Sequence, residues 1–455
     1  MNNPITLKFL GAAQTVTGSK TLLNFNNFNV LIDCGLFQGL KELRQLNRNP
    51  LPIDPSKIDV VILTHAHLDH CGYLPLLVKN GFKGEIHCTF PTIDLVEIIL
   101  KDSAKIQEED AERANSHGYS KHQKAEPLYT LLDVTKCLKL LVGHDLSEWV
   151  ILNNDIKFQF LNAGHIMGSA FVDMEVDGKK VFFSGDIGRM ESFLLYPPKV
   201  IKAADYLILE STYGDRVHSK SDVKEELLSV IKETVGNKGI LMIPSFAVER
   251  TQELIYLLHQ LREEERLPNV PIYLDSPMGI DATRVYLEYK DWQKLSRLEI
   301  EQMYKDVYFV GDTAQSKLLV QDKKSKIIIA GSGMLEGGRI LHYLNNHLDH
   351  PEDTLLFVGY QGAGTRGRAI LEGSTEIKFF GEFKQVKCQI RSISSLLGHA
   401  DRNEILTWLN KFNQLPKHIF LNHGEPHQSD ALRLKIECEL KVPVTIPHLM
   451  EAFEI

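Results

Sequence analysis

The sequence predicts an α/β protein of two domains, and three observations point there. Up to about residue 205, short apolar runs of strand length are separated by compact polar connections. Beyond that point strand-like and helix-like runs alternate, the pattern of a parallel sheet covered by helices. The 455 residues also exceed one domain, at roughly 150 residues each.

In the first half, residues 30–33 and 59–64 are apolar runs bounded by polar loops, as buried strands are. Residues 73–79 read as a helix stopping at Gly81, a residue suited to a C-cap. Residues 92–148 are expected to be mostly helical and polar, with a loop around 115–126. Residues 171–176 and 180–184 flank Asp177-Gly178, a strong hairpin signal. In the second half, 239–243 lead into a long helical stretch at 248–265, and 272–274 form the next strand. Residues 325–330 pass through glycines into a helix at 339–348, followed by a strand at 354–359.

Composition excludes several classes. A net charge of −8 argues against a broad basic surface coating nucleic acid, and one basic groove or bound cations can still hold a phosphate locally. No apolar stretch approaches the roughly 20 residues that span a bilayer, and the N-terminus alternates like a strand rather than a secretory signal. Six scattered cysteines without a C-x-x-C pair fit neither a disulfide framework nor a zinc knuckle, so a cytoplasmic location is expected.

His65, His67, Asp69 and His70 follow the apolar run 59–64 directly. A strand end is a rigid platform, and the loop after it lets nearby side chains converge on one volume. Imidazole nitrogens suit zinc, and the carboxylate adds an oxygen ligand. Two further apolar runs end on His165 and Asp186. Each alone reads as a packing histidine or a turn aspartate; beside the first cluster they complete a two-metal set.

The H-x-H-x-D-H loop, the later histidine and the later aspartate resemble, in that order, the metallo-β-lactamase superfamily. Glu210 in Leu209-Glu210-Ser211-Thr212, His399 in Gly398-His399-Ala400-Asp401 and His423 in Asn422-His423-Gly424-Glu425 resemble the further motifs of its β-CASP nucleases, as do residues 244–254 and 359–368. The resemblance spans nearly the whole chain. It implies a metallo-β-lactamase αββα sandwich, residues 1–207 and 384–455, with an inserted α/β parallel-sheet β-CASP domain at 208–383.

The family's arrangement implies that His65, His67 and His165 hold one ion and that Asp69, His70 and His423 hold another, with Asp186 bridging them. Asp33 would orient a ligand histidine or the loop, although a simple turn aspartate also fits. The implied cofactors are two Zn2+, with Mn2+ as the alternative. They would activate a hydroxide that cuts single-stranded RNA to a 5′-phosphate and a 3′-hydroxyl. Asp69 would sit at the reacting centre, His399 would act as the acid, and Glu210 would hold the imidazole of His399 charged. In isolation, His399 reads more plainly as a solvent-facing turn histidine.

The inserted domain is expected to grip the substrate. Ser332, Gly333 and Met334 lie in a glycine turn after a strand and before a helix, where backbone N–H groups could cradle a phosphate. Close strand-to-helix packing explains such a turn equally well. Thr365, Arg366 and Arg368 are candidates for RNA phosphate contacts; exposed loop arginines are otherwise simply solvated. His117, His122 and His144 match no ligand spacing and are expected at the surface.

Other functions fit in part. A DNA-directed nuclease of the same family is one, although its DNA-acting members tend to carry Val where His423 stands. A small-ester hydrolase leaves the insert, His399 and His423 unexplained. A metal-free scaffold subunit would have ligand positions replaced, and none is replaced here. Family members often dimerise, so a homodimer is an allowed assembly.

Overall fold

The computed structural model describes residues 4–116, 124–219, 221–393, 396 and 398–455. These form two compact units, Met1–Val217 with His399–Ile455, and His218–Gly398. The first segment runs through β1 (Thr6–Phe9), β2 (Thr21–Phe25), β3 (Phe28–Ile32), β4 (Val60–Ile62), β5 (Glu85–Thr89), β6 (Leu141–His144), β7 (Val150–Ile151), β8 (Ile156–Asn162), β9 (Ala170–Val176), β10 (Lys179–Phe183) and β11 (Tyr206–Glu210). The insert supplies β12 (Ile240–Pro244), β13 (Ile272–Asp275), β14 (Val307–Phe309), β15 (Lys326–Ala330), β16 (Thr354–Phe357), β17 (Glu376–Phe379), β18 (Glu382–Gln385) and β19 (Gln389–Ser392). The returning segment adds β20 (His418–Asn422), β21 (Val444–Thr445) and β22 (Ala452–Glu454).

In the first unit one sheet runs β22-β1-β2-β3-β4-β5-β6 and the other β21-β20-β11-β10-β9-β8-β7. The period-two pattern of β8 turns Ile156, Phe158 and Phe160 inward, where they join Leu7, Phe9, Val30 and Ile62 of the opposite sheet in one buried cluster. Each such side chain stabilises by about 1.5–3 kcal/mol. On the outer face of the second sheet, Phe171, Phe182 and Leu421 pack against Ile405 and Trp408 of helix Arg402–Leu409 and Leu432 of helix Pro426–Leu440. Helix Phe90–Ser116 packs on β5 and β6 of the first sheet. Helices therefore flank both sheets, giving the expected αββα layers. The hairpin between β9 and β10 turns through Asp177 at φ 48° and Gly178 at φ 77°, as a two-residue primed turn requires.

The insert holds the parallel sheet β14-β13-β15-β12-β16-β19, with β17 and β18 forming a separate hairpin. Its bounds differ from those expected at 208 and 383. β11 pairs in parallel with β10 and β20, which keeps Glu210 in the sandwich, while β19 pairs with β16 and belongs to the insert. β6 also departs from the helical expectation for 92–148. It is a four-residue strand held by its pairing with β5, and such pairing outweighs local propensity. Among the described residues, no helix is long and apolar enough to cross a membrane.

Candidate active site

Within the first unit β3 and β4 run parallel, as do β10, β11 and β20, so their carboxyl ends can deliver side chains to a common edge. His65 and His67 follow β4, and the short helix Leu68–Cys71 carries Asp69 and His70. His165 follows β8, Asp186 follows β10, and His423 follows β20. Gly185 sits at φ +48°, and a Cβ there would lie 2.7 Å from the Thr64 side chain. Only glycine lets the Asp186 loop close against the His65 loop.

Asp186 faces two groups of ligand atoms. Its Oδ2 lies 3.4 Å from His65 Nε2 and 3.5 Å from His165 Nε2; His67 Nδ1 is 3.1 Å from the former nitrogen and 3.2 Å from the latter. Its Oδ1 lies 3.4 Å from His70 Nε2, which is itself 3.1 Å from His423 Nε2. Asp69 Oδ2 is 3.3 Å from His423 Nε2 and 3.9 Å from His70 Nε2. Ligands about 2.0 Å from a tetrahedral ion sit about 3.3 Å apart, so these spacings are those of a coordination shell. Asp186 Oδ1 is moreover buried with no hydrogen-bond partner, as an oxygen reserved for a cation would be. The donor set fits a divalent metal.

The surroundings fix which nitrogen points inward. Asp33 Oδ2 accepts from His70 Nδ1 at 2.7 Å, and its Oδ1 accepts from the Thr64 backbone N–H at 2.8 Å and hydroxyl at 3.0 Å. Asp33 thus holds both His70 and the loop before His65, as a carboxylate behind a metal-binding histidine would. Thr64 Oγ1 lies 3.1 Å from His65 Nδ1, and Thr212 Oγ1 lies 3.1 Å from His423 Nδ1. Thr64, Thr212 and Ser19, whose hydroxyl donates to Asp33, were not singled out from the sequence. Only Thr64, adjacent to the loop motif, offered a signal.

Burial pushes His67 down to about 3 and lowers His65 and His165, favouring the neutral imidazoles that bind metals. At His70 burial acts the same way, but Asp186 and Asp33 overcome it and call for positive charge there. Burial disfavours the charged carboxylate of Asp186, yet the surrounding histidines hold it well below its usual range.

His399 stands beside this shell. Its Nδ1 is 3.1 and 3.0 Å from the two oxygens of Glu210, which also accepts from the Ile187 backbone N–H at 2.5 Å. Burial lowers the imidazole pKa, but Glu210 and then Asp186 reverse that and bring it to about 9. Its side chain is 14% exposed, against 1% for His65 and 3% for His165. Asp401, two residues on, caps helix Arg402–Leu409 in a reciprocal box with Glu404, which anchors the Gly-His-Ala-Asp motif.

The expected substrate residues lie in the second unit and are engaged within it. Ser332 Oγ accepts from Glu336 N–H, and the glycine turn does not open directly onto a helix, because the next one begins at Ile340. Thr365 caps helix Arg366–Leu371. Arg366 donates to the carbonyls of Leu335 and Lys378, and Arg368 pairs with Glu372. Gly333 is packed against the Phe246 ring, and Met334 O accepts from Gly367 N–H. His144 is half-buried rather than a surface residue, its Nε2 lying 2.8 Å from His87 Nδ1. His117 and His122 lie outside the described residues.

The sandwich, its insert and the His/Asp cluster define a metal-dependent hydrolase of metallo-β-lactamase type. Family profiles agree: the metallo-β-lactamase superfamily matches residues 17–232, the Beta-Casp domain 251–370, and the Zn-dependent metallo-hydrolase RNA specificity domain 384–447. The chain is 37% identical over 432 residues to Ribonuclease TTHA0252 of Thermus thermophilus, covering 93% of this chain and 94% of that one. It is 33% identical over 449 residues to an RNase J-like protein of Methanocaldococcus jannaschii, covering 97% and 98%. A crystal structure of a protein of unknown function from Enterococcus faecalis V583 shares the fold, with a TM-score of 0.56 at 12% identity over 99% of this chain and 100% of that one. The chain belongs to the β-CASP family of the metallo-β-lactamase superfamily.

Proposed function

We propose that the protein is a ribonuclease that hydrolyses phosphodiester bonds of single-stranded RNA, with two Zn2+, or Mn2+ in their place, held by the groups described above. The observation that carries this reading is the Glu210–His399 pair, 3.0 Å long, set against a complete ligand shell. A small-ester hydrolase has less need of it, whereas a departing sugar oxygen calls for a proton donor. The names of the two relatives, a ribonuclease and an RNase J-like protein, support RNA as the substrate.

His65, His67, His165 and Asp186 would hold one ion; Asp69, His70, His423 and the other oxygen of Asp186 would hold the second. When bound, the ions supply Lewis-acid activation of a water and neutralise the phosphate. A water oxygen bonds to phosphorus, its proton passes to Asp69, and the P–O3′ bond breaks. His399 gives its proton to the leaving 3′-oxygen while Glu210 stabilises the charged ring beforehand. The products carry a 5′-phosphate and a 3′-hydroxyl. Ser332, Gly333, Met334, Thr365, Arg366 and Arg368 remain the proposed RNA contacts, a homodimer the proposed assembly, and the cytoplasm the proposed location, consistent with six free thiols.

The test is cleavage of an end-labelled single-stranded RNA, with an equivalent DNA as control, alongside metal analysis. About two zinc ions per chain and RNA cleavage are expected, with both lost in Asp186→Ala. His399→Ala should keep the metal and turn over slowly. Wild-type cleavage by Asp186→Ala would overturn the assignment.

A further inference from the structure

The insert carries another group of metal-ligand type that the proposed chemistry leaves unused. His347, the last residue of helix Ile340–His347, His350 in the following loop, and Asp353 just before β16 bring ligand atoms within 4.8 Å of one another. We propose that these three residues form an additional divalent-metal site, taking Zn2+ or a similar borderline cation through His347 Nδ1, His350 Nδ1 and Asp353 Oδ2.

Hydrogen bonding supports this. His347 is buried, and its Nε2–H donates to the Val320 carbonyl at 2.9 Å. That bond fixes the ring and, in the neutral tautomer, leaves the lone pair on Nδ1, as outer-shell carbonyls do for metal-bound histidines. Nδ1 points at Asp353 Oδ2 at 2.9 Å. Two acceptors cannot face each other at that distance without a cation between them or a proton on the nitrogen. Asp353 is itself 2% exposed, and its other oxygen accepts from the Ile240 backbone N–H at 2.7 Å. Among the described residues its ion-pair partners are the two imidazoles alone, with His350 Nδ1 at 3.8 Å. A buried carboxylate needs compensating positive charge; among the described residues no arginine or lysine forms an ion pair with Asp353, and Lys326 acts on it only through space.

The ring pair of His347 and His350 is comparable to one pair of the proposed hydrolytic centre, where others lie as close as 4.0 Å at 43°. His65 and His165 lie 5.1 Å apart at 85°, and His347 and His350 lie 5.5 Å apart at 68°. Glu352 Oε1, 3.6 Å from His350 Nδ1, offers a further oxygen. His350 is half-buried, so an ion can reach the site from solvent. A cation there would tie the end of helix Ile340–His347 to β12 and β16 at the centre of the parallel sheet.

The test counts zinc in the full-length protein. Wild type dialysed against Zn2+ should hold about three ions per chain and His350→Ala about two, with RNA cleavage unchanged. In a His65→Ala/Asp186→Ala background, Co2+ should still give the absorbance of a bound ion, and adding His350→Ala should remove it. That arm stands even if the ribonuclease reading fails. Equal zinc in wild type and His350→Ala, or no cobalt signal in the His65→Ala/Asp186→Ala protein, would mean that a proton on His347 alone serves Asp353, and the proposal falls.

Discussion

Glu210→Gln removes one negative charge 3.0 Å from His399 Nδ1 and leaves the shape of the site nearly intact. A buried hydrogen bond to a charged group contributes about 1.5–3 kcal/mol, and one pH unit corresponds to about 1.4 kcal/mol. Losing about 2 kcal/mol therefore brings the imidazole pKa down by about 1.5. In wild type that value lies near 9, because the carboxylates overcome the effect of burial. Bound cations move wild type and variant to lower pH together, so their separation is what the experiment reads. The assay is kcat for a single-stranded RNA oligonucleotide from acid to alkaline pH, with zinc content measured at each point. On the acid side the two rates should converge; beyond both pKa values they should differ by about 30-fold. Superimposable profiles would refute the pairing, and loss of zinc from the variant would show that Glu210 acts on the metal shell instead.

The same pair affects stability in metal-stripped protein. The pKa of His399 is raised from 6.5 to about 9, so the stabilisation is complete below pH 6.5 and lost as pH rises through about 9. In urea, wild type should exceed Glu210→Gln at neutral pH, and the gap should close at alkaline pH. Asp33→Ala frees His70 Nδ1 and the Thr64 backbone, so zinc affinity measured against a chelator should fall by about 10- to 100-fold while the protein stays folded. Trp408→Ala opens a hole among Phe171, Phe182 and Phe412, and urea unfolding should show a loss of about 3–5 kcal/mol.

The legible part of the site is what local order encodes. His65 to His70 declare themselves because four potential ligands crowd the end of one apolar run, whereas His165 and Asp186, each at the end of a run of the same kind, gain meaning only beside that cluster. Asp177-Gly178 gives the hairpin because only a primed turn suits that pair. What stayed hidden depends on contacts distant in sequence. β11 joins β20 from more than two hundred residues away, so Glu210 could not be assigned to the sandwich from its neighbours. β6 looks helical until β5 pairs with it, and the hydroxyls of Ser19 and Thr212 have no distinguishing pattern around them. Arg366 and Arg368 stand out as loop cations, yet their visible partners are carbonyls and two glutamates, Glu336 and Glu372, of their own unit.

His70 and His423 approach to 3.1 Å although 353 positions separate them along the chain. During synthesis the ribosome releases His65, His67, His165 and Asp186 long before His399 and His423. A half-made chain therefore offers one metal cradle but lacks the partner imidazole of the second and the proposed proton donor. Contacts this far apart in sequence slow folding in general, so the second cluster is expected to close after the first. Until that last segment has been made, the chain holds neither the complete second cluster nor the proposed proton donor.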